Sequence, residues 1–275
     1  MVNKIISFFR DKFKKDNKKD KEYVSPKEEE KVFYQDGKTW LNADKIYITD
    51  TIYIKIPTVG EVLNNEQEYY SNISVMTSSP YTYMAQLDDM GIDFTEINDY
   101  QLFTIFFSII CHSDLSLIFG GLDTSDYIIC KNEENDTIVA HSKKNGDEYE
   151  IDELVYVKIA EVLRKINCIT RDNRKPGNDT TKEYLIRKAK RKLKKNAKKP
   201  YEPYLEKMII ALVNRPEFKY NYEEVMNMSL YKFNQSLKQV QLSVSFDKTM
   251  IGVYAGTVDT SKMTDKSCLS WIPIK

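Results

Sequence analysis

Histidine and cysteine are the residue types best suited to nucleophilic or metal chemistry, and here they are few and scattered. The 275-residue chain has two histidines and four cysteines. Cys111 and His112 are adjacent, and neighbours on a helix point about 100° apart, so they do not face each other as a dyad. Cys130 and His141 are placed to meet across a hairpin, but a structural zinc site takes four ligands. We therefore predict no catalytic, metal-binding or cofactor-binding residue and interpret the cysteines as reduced, buried thiols.

Carboxylates form two groups that acid–base or metal chemistry could use. The first lies within twelve residues and comprises Asp88, Asp89, Asp93, Glu96 and Asp99. The second comprises Glu133, Glu134 and Asp136. Neither has the D-x-D-x-D-G spacing of a calcium loop, and the chain has no GxxxxGKS/T or GxGxxG nucleotide motif. We interpret both groups as solvated, with a metal-dependent hydrolase as the alternative.

The most basic stretch, Thr181–Lys199, has ten lysines or arginines and one acid, Glu183. Its narrow apolar seam predicts a helix. The residues that could contact an anionic partner are Lys188, Lys190, Arg191, Lys194 and Lys195. Three interpretations stay open: a solvated helix, a contact with an acidic protein surface such as another copy of the chain, or a nucleic-acid backbone contact. No aromatic residue lies among these cations, which favours a protein partner over nucleic acid.

Residues 1–31 are predicted to be a detachable basic arm. Ile5, Phe9 and Phe13 share one face at helical spacing, and the following residues are mostly charged. Such a stretch is either a disordered tail or a short helix that docks through these three residues on a partner or on anionic lipid.

The elements that carry these residues predict an α+β fold that is predominantly helical, with small β-hairpins packed on a helical body. Alternating residues predict a hairpin of Lys45–Ile48 and Ile52–Ile56. Short strands at 127–130 and 137–140 and an Asn145-Gly146 turn predict a second one. Helices are predicted over Glu61–Met76, from Ser79-Pro80 to Met90, over Tyr100–Cys111 after a cap at Asn98 or Asp99, and over Ile151–Ile166.

The C-terminal part is predicted to be helical as well. One helix begins at Pro203 and ends before Pro216, another is capped by Ser229 and runs through Val240, and a last short one spans Phe246–Tyr254. The predicted units are 40–170, α+β; 171–200, a basic linker helix; and 201–275, helical.

Composition limits the classes of function. Acids and bases cancel to a formal net charge of zero, so the whole chain has no electrostatic preference for nucleic acid or membrane. The most apolar run, 102–110, is too short to span a bilayer, and we expect neither a signal peptide nor a membrane span. Nineteen tyrosines and twelve phenylalanines exceed the needs of a core, so we expect some at an interface, with Tyr222, Tyr231 and Tyr254 as candidates.

A succession of motifs runs through the C-terminal part: 209–214 (IIALVN), 217–222 (EFKYNY), 230–236 (LYKFNQS), 252–259 (GVYAGTVD) and 269–271 (LSW). With 174–178 (RKPGN) and 56–61 (IPTVGE), it resembles a morphogenesis or tail-module family of tailed bacteriophages infecting Firmicutes, over roughly residues 40–275.

The resemblance implies a non-enzymatic tail or baseplate assembly factor, or a minor virion protein. It implies tail-tube, tape-measure or baseplate proteins as partners, and it supplies no catalytic residue or cofactor. The expected location is the host cytoplasm during assembly, with retention in the virion and homo-oligomerisation left open. A nucleic-acid-associated phage protein that uses the basic helix 182–199 is the alternative.

Overall fold

A computed structural model describes residues 31–110, 113–120, 127–132, 137–142, 148–264 and 266–272. The chain divides into two units, Met1–Lys31 and Val32–Lys275. The residues predicted to dock the arm, Ile5, Phe9 and Phe13, lie outside the described residues. All the helices and strands given below belong to the second unit.

The first pair of strands is the predicted hairpin. β1 (Lys45–Tyr47) pairs antiparallel with β2 (Tyr53–Lys55), and Ile46 lies opposite Ile54. Both isoleucines are fully buried, whereas the residues flanking them in each strand are half-buried. This alternation is what a strand with one buried face requires, so the prediction of a hairpin here is confirmed.

The helix predicted over Glu61–Met76 is two helices, α1 (Val59–Asn64) and α2 (Glu66–Thr77). α1 begins earlier than predicted because Thr58 and Glu61 form a capping box, in which each side chain accepts a hydrogen bond from the other residue's backbone N–H. Asn65 separates the two helices because its φ of −133° and ψ of 34° lie outside the helical region.

α3 (Met84–Asp89) is shorter than predicted, because the residues after Ser79 form a turn. Thr82 N donates to Ser79 O, and Tyr83 N donates to Pro80 O, so the α-helical hydrogen bonds begin later. Gly91 has a φ of +73° and follows the helix end, as predicted.

α4 (Asp99–Ile110) is the predicted apolar core helix. Asn98 precedes it and its side-chain oxygen accepts from Gln101 N at 2.8 Å, which satisfies a free donor of the first turn. Leu102, Phe103 and Phe107 are buried. A short helix, α5 (Ser116–Phe119), follows.

The second sheet has three antiparallel strands in the order β3 (Tyr127–Asn132), β4 (Thr137–Ser142) and β5 (Glu148–Ile151). The predicted Asn145-Gly146 turn lies outside the described residues. α6 (Glu153–Asn167) begins after Asp152, whose carboxylate accepts from Val155 N at 2.7 Å. Ile159, Val162, Leu163 and Ile166 of this helix are buried, whereas Leu154 near its start is 72% exposed.

Four helices complete the chain: α7 (Asp179–Asn196), α8 (Leu205–Val213), α9 (Tyr222–Asn227) and α10 (Leu230–Tyr254). We predicted two helices where the structure has α10 alone, a single helix of 25 residues. The polar and β-branched residues at 241–245 are only modest helix formers, but none of them is a proline or glycine, so nothing there breaks the helix.

One hydrophobic core joins the N-terminal and C-terminal parts of Val32–Lys275. Its fully buried members include Ile54, Phe103 and Ile159 from the first part and Leu205 and Phe233 from the second. A smaller apolar cluster consists of Met84, Leu87, Phe94, Leu102 and Phe106. The fold is α+β and predominantly helical, with small antiparallel sheets, as predicted.

Within the described residues, no helix combines the length and the apolar character that crossing a membrane would require.

Candidate interaction surfaces

The basic helix α7 lies against the body through one face of its first half. Leu185, Ile186 and Ala189 pack on the smaller apolar cluster. Ala189 follows Leu185 by four residues and Ile186 by three, the spacings at which side chains are neighbours on the helix surface. Lys182 and Lys190 flank these residues, with side chains that are 21% and 31% exposed. We call the face formed by Lys182, Leu185, Ile186, Ala189 and Lys190 the docked face. The prediction of a linker helix did not include this contact with the body.

Ion pairs to the acidic region around α3 hold this face in place. Lys190 Nζ lies 2.5 Å from both Asp88 Oδ2 and Asp89 Oδ1. Lys182 pairs with Asp93, whose carboxylate also accepts from Thr95. Hydrogen bonds from Lys182 and then from Thr95 lower the pKa of Asp93 to about 2, and the carboxylates raise the pKa of both lysines. The basic helix thus finds an acidic partner within its own chain.

The five cations predicted to contact a partner are divided between two faces. Lys190 belongs to the docked face, so it is unsuited to a second contact. Lys188, Arg191, Lys194 and Lys195 are exposed, and none of them forms an ion pair with another described residue. These four remain candidates for an anionic partner.

The first acidic group is distributed over separate ion pairs. Asp99 lies at the start of α4 and accepts from Arg171 Nε at 2.6 Å and from Arg164 Nη2 at 3.2 Å. Arg164 also donates twice to Thr77 O, which ties α6 to the end of α2. Among the described residues, no group of three or more histidine, cysteine or carboxylate side chains is arranged to hold a metal ion.

Several of the residues considered for chemistry lie outside the described part of the chain: Cys111, His112, Glu133, Glu134 and Asp136. In the three-stranded sheet, His141 is paired with Ile128 and Glu148, and Cys130 is paired with Val139. His141 Nδ1 lies 3.6 Å from Glu148 Oε2. Cys168 and Cys268, predicted to be buried, are half-buried.

The long helix α10 has a heptad pattern in which only the first half is covered. Leu230, Leu237, Val244 and Ile251 are seven residues apart, and Phe233, Val240, Asp247 and Tyr254 follow each of them by three. The members up to residue 240 are buried in the core or pack against it. Ile251 is 63% exposed and Tyr254 84% exposed. Asp247 is exposed as well, and Val244 is half-buried. We call Val244, Asp247, Ile251 and Tyr254 the exposed seam.

A different face of α10 is covered by the end of the chain. After Gly256, with a φ of +70°, Val258 N donates back to Gly252 O. The chain then returns along the helix through the 3₁₀ turns Thr260–Lys262 and Ser267–Leu269, and Gln239 Nε2 donates to Trp271 O at 2.7 Å. With the tail in place, Ile251 and Tyr254 are still 63% and 84% exposed, so the tail leaves this end of the exposed seam open.

Of the three tyrosines proposed for an interface, two are well exposed. Tyr254 belongs to the exposed seam, and Tyr222 is 47% exposed. Tyr231 is half-buried and packs against Trp40 with ring centroids 5.8 Å apart. Tyr231 is therefore largely a core residue.

An open groove of about 810 Å³ borders the covered half of α10. Its apolar lining includes Leu41, Tyr220, Met228 and Leu242, and its polar lining includes Lys232. The lining of the groove is therefore partly apolar and partly polar, and the groove lies beside the helix that carries the exposed seam.

Sequence reasoning missed the exposed seam although its signal is visible. The heptad from Leu230 to Tyr254 is unbroken, except that Asp247 occupies one apolar position. Dividing this stretch into two helices hid the pattern, because each piece alone is too short to show a repeat of seven.

Residues 194–274 match the model of the YomV second domain, a Bacillus phage-associated family. Comparison with curated proteins and with solved structures returned no match. The matched segment includes α8, α9, α10 and the returning tail, and therefore the whole exposed seam. The match supports a bacteriophage protein of Firmicutes hosts, as the resemblance implied, and a tail or baseplate role stays a prediction.

Proposed function

We propose that this chain is a non-enzymatic phage protein that acts through protein–protein contacts, as a tail or baseplate assembly factor or a minor virion protein. The observation that supports this proposal is the exposed seam of α10. Leucine and phenylalanine at the start of the heptad are buried in the core, and the same stripe continues to Ile251 and Tyr254, whose side chains lie mostly in solvent.

The composition of this half-helix supports a covered state. Residues 241–254 contain two charged side chains, Asp247 and Lys248, whereas 30% of the whole chain is charged. Serine, valine, threonine and glycine within it are weak helix formers, so packing rather than intrinsic propensity must stabilise the helix. The returning tail packs on one face only, and removing the exposed face from water would be favourable at about 25 cal/mol per Å² of apolar area.

The repeat of seven residues indicates the kind of partner. Side chains at 3–4–3 spacing fit between those of another helix as knobs into holes, and Asp247 would specify the register of that pairing. The partner is thus a helix of another phage protein: a tail-tube, tape-measure or baseplate protein, with a second copy of this chain as the alternative. Assembly would take place in the host cytoplasm.

A capture experiment from infected lysate tests this proposal. Tagged full-length protein is compared with the double variant Ile251→Ser/Tyr254→Ser, and bound phage proteins are identified by mass spectrometry. We expect the double variant to lose at least tenfold of the captured tail or baseplate protein. Leu154→Ser is a matched control, because Leu154 is 72% exposed and lies on α6, outside the heptad pattern of α10.

Two outcomes would overturn the proposal: no tail or baseplate protein is captured, or both variants reduce capture equally. Mass spectrometry of purified particles then distinguishes the two forms of the proposal. Presence of the chain in the particle indicates a minor virion protein, and its absence together with specific capture indicates an assembly factor.

A further inference from the structure

The basic helix α7 changes character halfway along its length. Residues 182–190 carry the docked face, whereas every residue from 191 to 200 is exposed. This second stretch contains no acid and six cations: Arg191, Lys192, Lys194, Lys195, Lys198 and Lys199. We call it the cationic half; its first six residues complete α7, and the last four follow the helix end at Asn196.

Among the described residues, no carboxylate forms an ion pair with the cationic half; Lys199 only attracts Glu202 at longer range, and Glu202 is paired with Lys207. The carboxylates that approach α7, those of Asp88, Asp89 and Asp93, are paired with Lys190 and Lys182 on the docked face. Like charges four residues apart, such as Arg191 with Lys195, repel each other along the helix. A polyanion that lies along this stretch would relieve the repulsion.

Two classes of polyanion fit such a charge: an acidic protein surface and the phosphate backbone of a nucleic acid. Protein interfaces are depleted in lysine and have an apolar centre. The cationic half offers one large apolar side chain, Leu193, which is 42% exposed. Tyr201 follows it, but its hydroxyl donates to Glu66 at 2.9 Å. With few apolar groups and many cations, the surface favours phosphates over a protein.

The spacing of the charges agrees with this choice. The six residues of this stretch that belong to the helix, 191–196, rise by about 9 Å, and double-stranded DNA carries one phosphate charge per about 1.7 Å of its axis. Cations project from several sides of the exposed helix, which allows contact with phosphates but offers no side chain to read base edges. We propose that the cationic half of α7 binds the phosphate backbone of nucleic acid without sequence preference. This activity is separate from the protein contact made by α10.

Fluorescence anisotropy with a 24-base-pair DNA duplex tests the proposal, using full-length protein at 50 and 200 mM KCl. If roughly four phosphates are contacted, the affinity should fall about 100-fold between the two salt concentrations. The variant in which Arg191, Lys192, Lys194 and Lys195 are all replaced by Gln should lose at least tenfold in affinity at 50 mM KCl. Its helical content, measured by circular dichroism, should stay close to that of the unchanged protein.

A matched control removes the same number of charges elsewhere, by replacing exposed lysines with glutamine at Lys207, Lys219, Lys238 and Lys262. This control should bind the duplex nearly as the unchanged protein does, and Ile251→Ser/Tyr254→Ser should bind it fully. Equal losses in the two fourfold variants, or no binding to the duplex at 50 mM KCl, would overturn the proposal. Tighter binding to polyglutamate than to the duplex would overturn it as well and would indicate an acidic protein partner.

Discussion

At the scale of single residues, Glu66 joins two distant parts of the chain. It is 6% exposed at the start of α2, and its Oε1 accepts from Tyr204 N at 2.7 Å, Tyr201 Oη at 2.9 Å and Leu205 N at 3.1 Å. The carboxylate therefore satisfies free N–H groups at the start of α8, where a negative charge also suits the helix dipole. Burial, and then the hydrogen bond to Glu66, raises the pKa of Tyr201 to about 12.

Replacing Glu66 should therefore reveal how much this cap contributes. Glu66→Ala leaves buried backbone donors without an acceptor, and we expect the free energy of unfolding to fall by about 3 kcal/mol. Glu66→Gln keeps one carbonyl oxygen as an acceptor and should cost roughly 1 kcal/mol. Urea denaturation followed by circular dichroism measures both values. Equal losses in the two variants would show that the charge, rather than the acceptor, is what matters.

The ion pair of Asp93 and Lys182 predicts a dependence on pH. Lys182, and then Thr95, holds the pKa of Asp93 at about 2, below its ordinary value of 3.8. Because the pKa is lower in the folded state, the ion pair stabilises the protein at pH values above the ordinary pKa of 3.8. This stabilisation is lost as the pH falls through about 2. Asp93→Asn should therefore cost less than about 1 kcal/mol at pH 7, since the pair is partly exposed, and less than half as much near pH 2.

Urea denaturation of both proteins at pH 7, 4 and 2.5 measures this difference. Asp247→Asn is a suitable control, because Asp247 is exposed and forms no ion pair with another described residue. If the cost of Asp93→Asn stayed constant down to pH 2.5, the ion pair would not be the source of the stabilisation.

At the scale of elements, Gly252 sets how closely the returning tail approaches α10. A Cβ atom at this position would lie 2.7 Å from Val258 Cγ2 and 3.4 Å from Thr257 Oγ1. Gly252→Ala should therefore push the tail outward, whereas the helix itself gains about 1 kcal/mol in propensity. We expect faster amide hydrogen exchange over 257–272 with little change in global stability. Gly177→Ala, where no atom lies within 4 Å of the added Cβ, should leave that exchange unchanged.

Elements that are fixed by local pattern were predicted well. The alternation around Ile46 and Ile54 predicted the first hairpin, and the largely apolar run 102–110 predicted a core helix. The break between α1 and α2 was missed because it depends on the backbone conformation of one residue, Asn65. The start of α1 was also missed, although the Thr58–Glu61 capping box is visible in the sequence. The length of α10 was missed because its weak helix formers are held by contacts with the body and the tail.

For α7, the sequence predicted which residues are charged but not which of them face the body and which face solvent. The sequence identified the cations of α7, yet it could not show that Lys190 faces inward. That assignment depends on Asp88 and Asp89, about a hundred residues away along the chain. Ion pairs between such distant positions arise only from the packing of α7 on α3. The exposed seam, in contrast, follows from a local repeat and was open to prediction.

At the scale of the whole molecule, the body of Val32–Lys275 is joined across its length by one core. Trp40 is 4% exposed and lies between Tyr231 of α10, at 5.8 Å between ring centroids, and Lys165 of α6, whose Nζ is 3.4 Å from the ring centroid. Phe233 of α10 is fully buried in the same core as Ile159 of α6. Unfolding of α6 or of α10 should therefore expose the core side chains of the other helix.

We accordingly expect the body to unfold in a single cooperative transition, despite the basic segment in its middle. In a Trp271→Phe background Trp40 is the sole tryptophan, because the chain has two. Its fluorescence and the far-ultraviolet circular dichroism should then change together in urea. Phe233→Ala should lower the midpoint of both signals equally and cost about 3–5 kcal/mol, because it leaves a large cavity in the shared core. Two separate transitions, with only one of them shifted by Phe233→Ala, would show instead that α8–α10 form a unit that folds independently of the hairpin and α6.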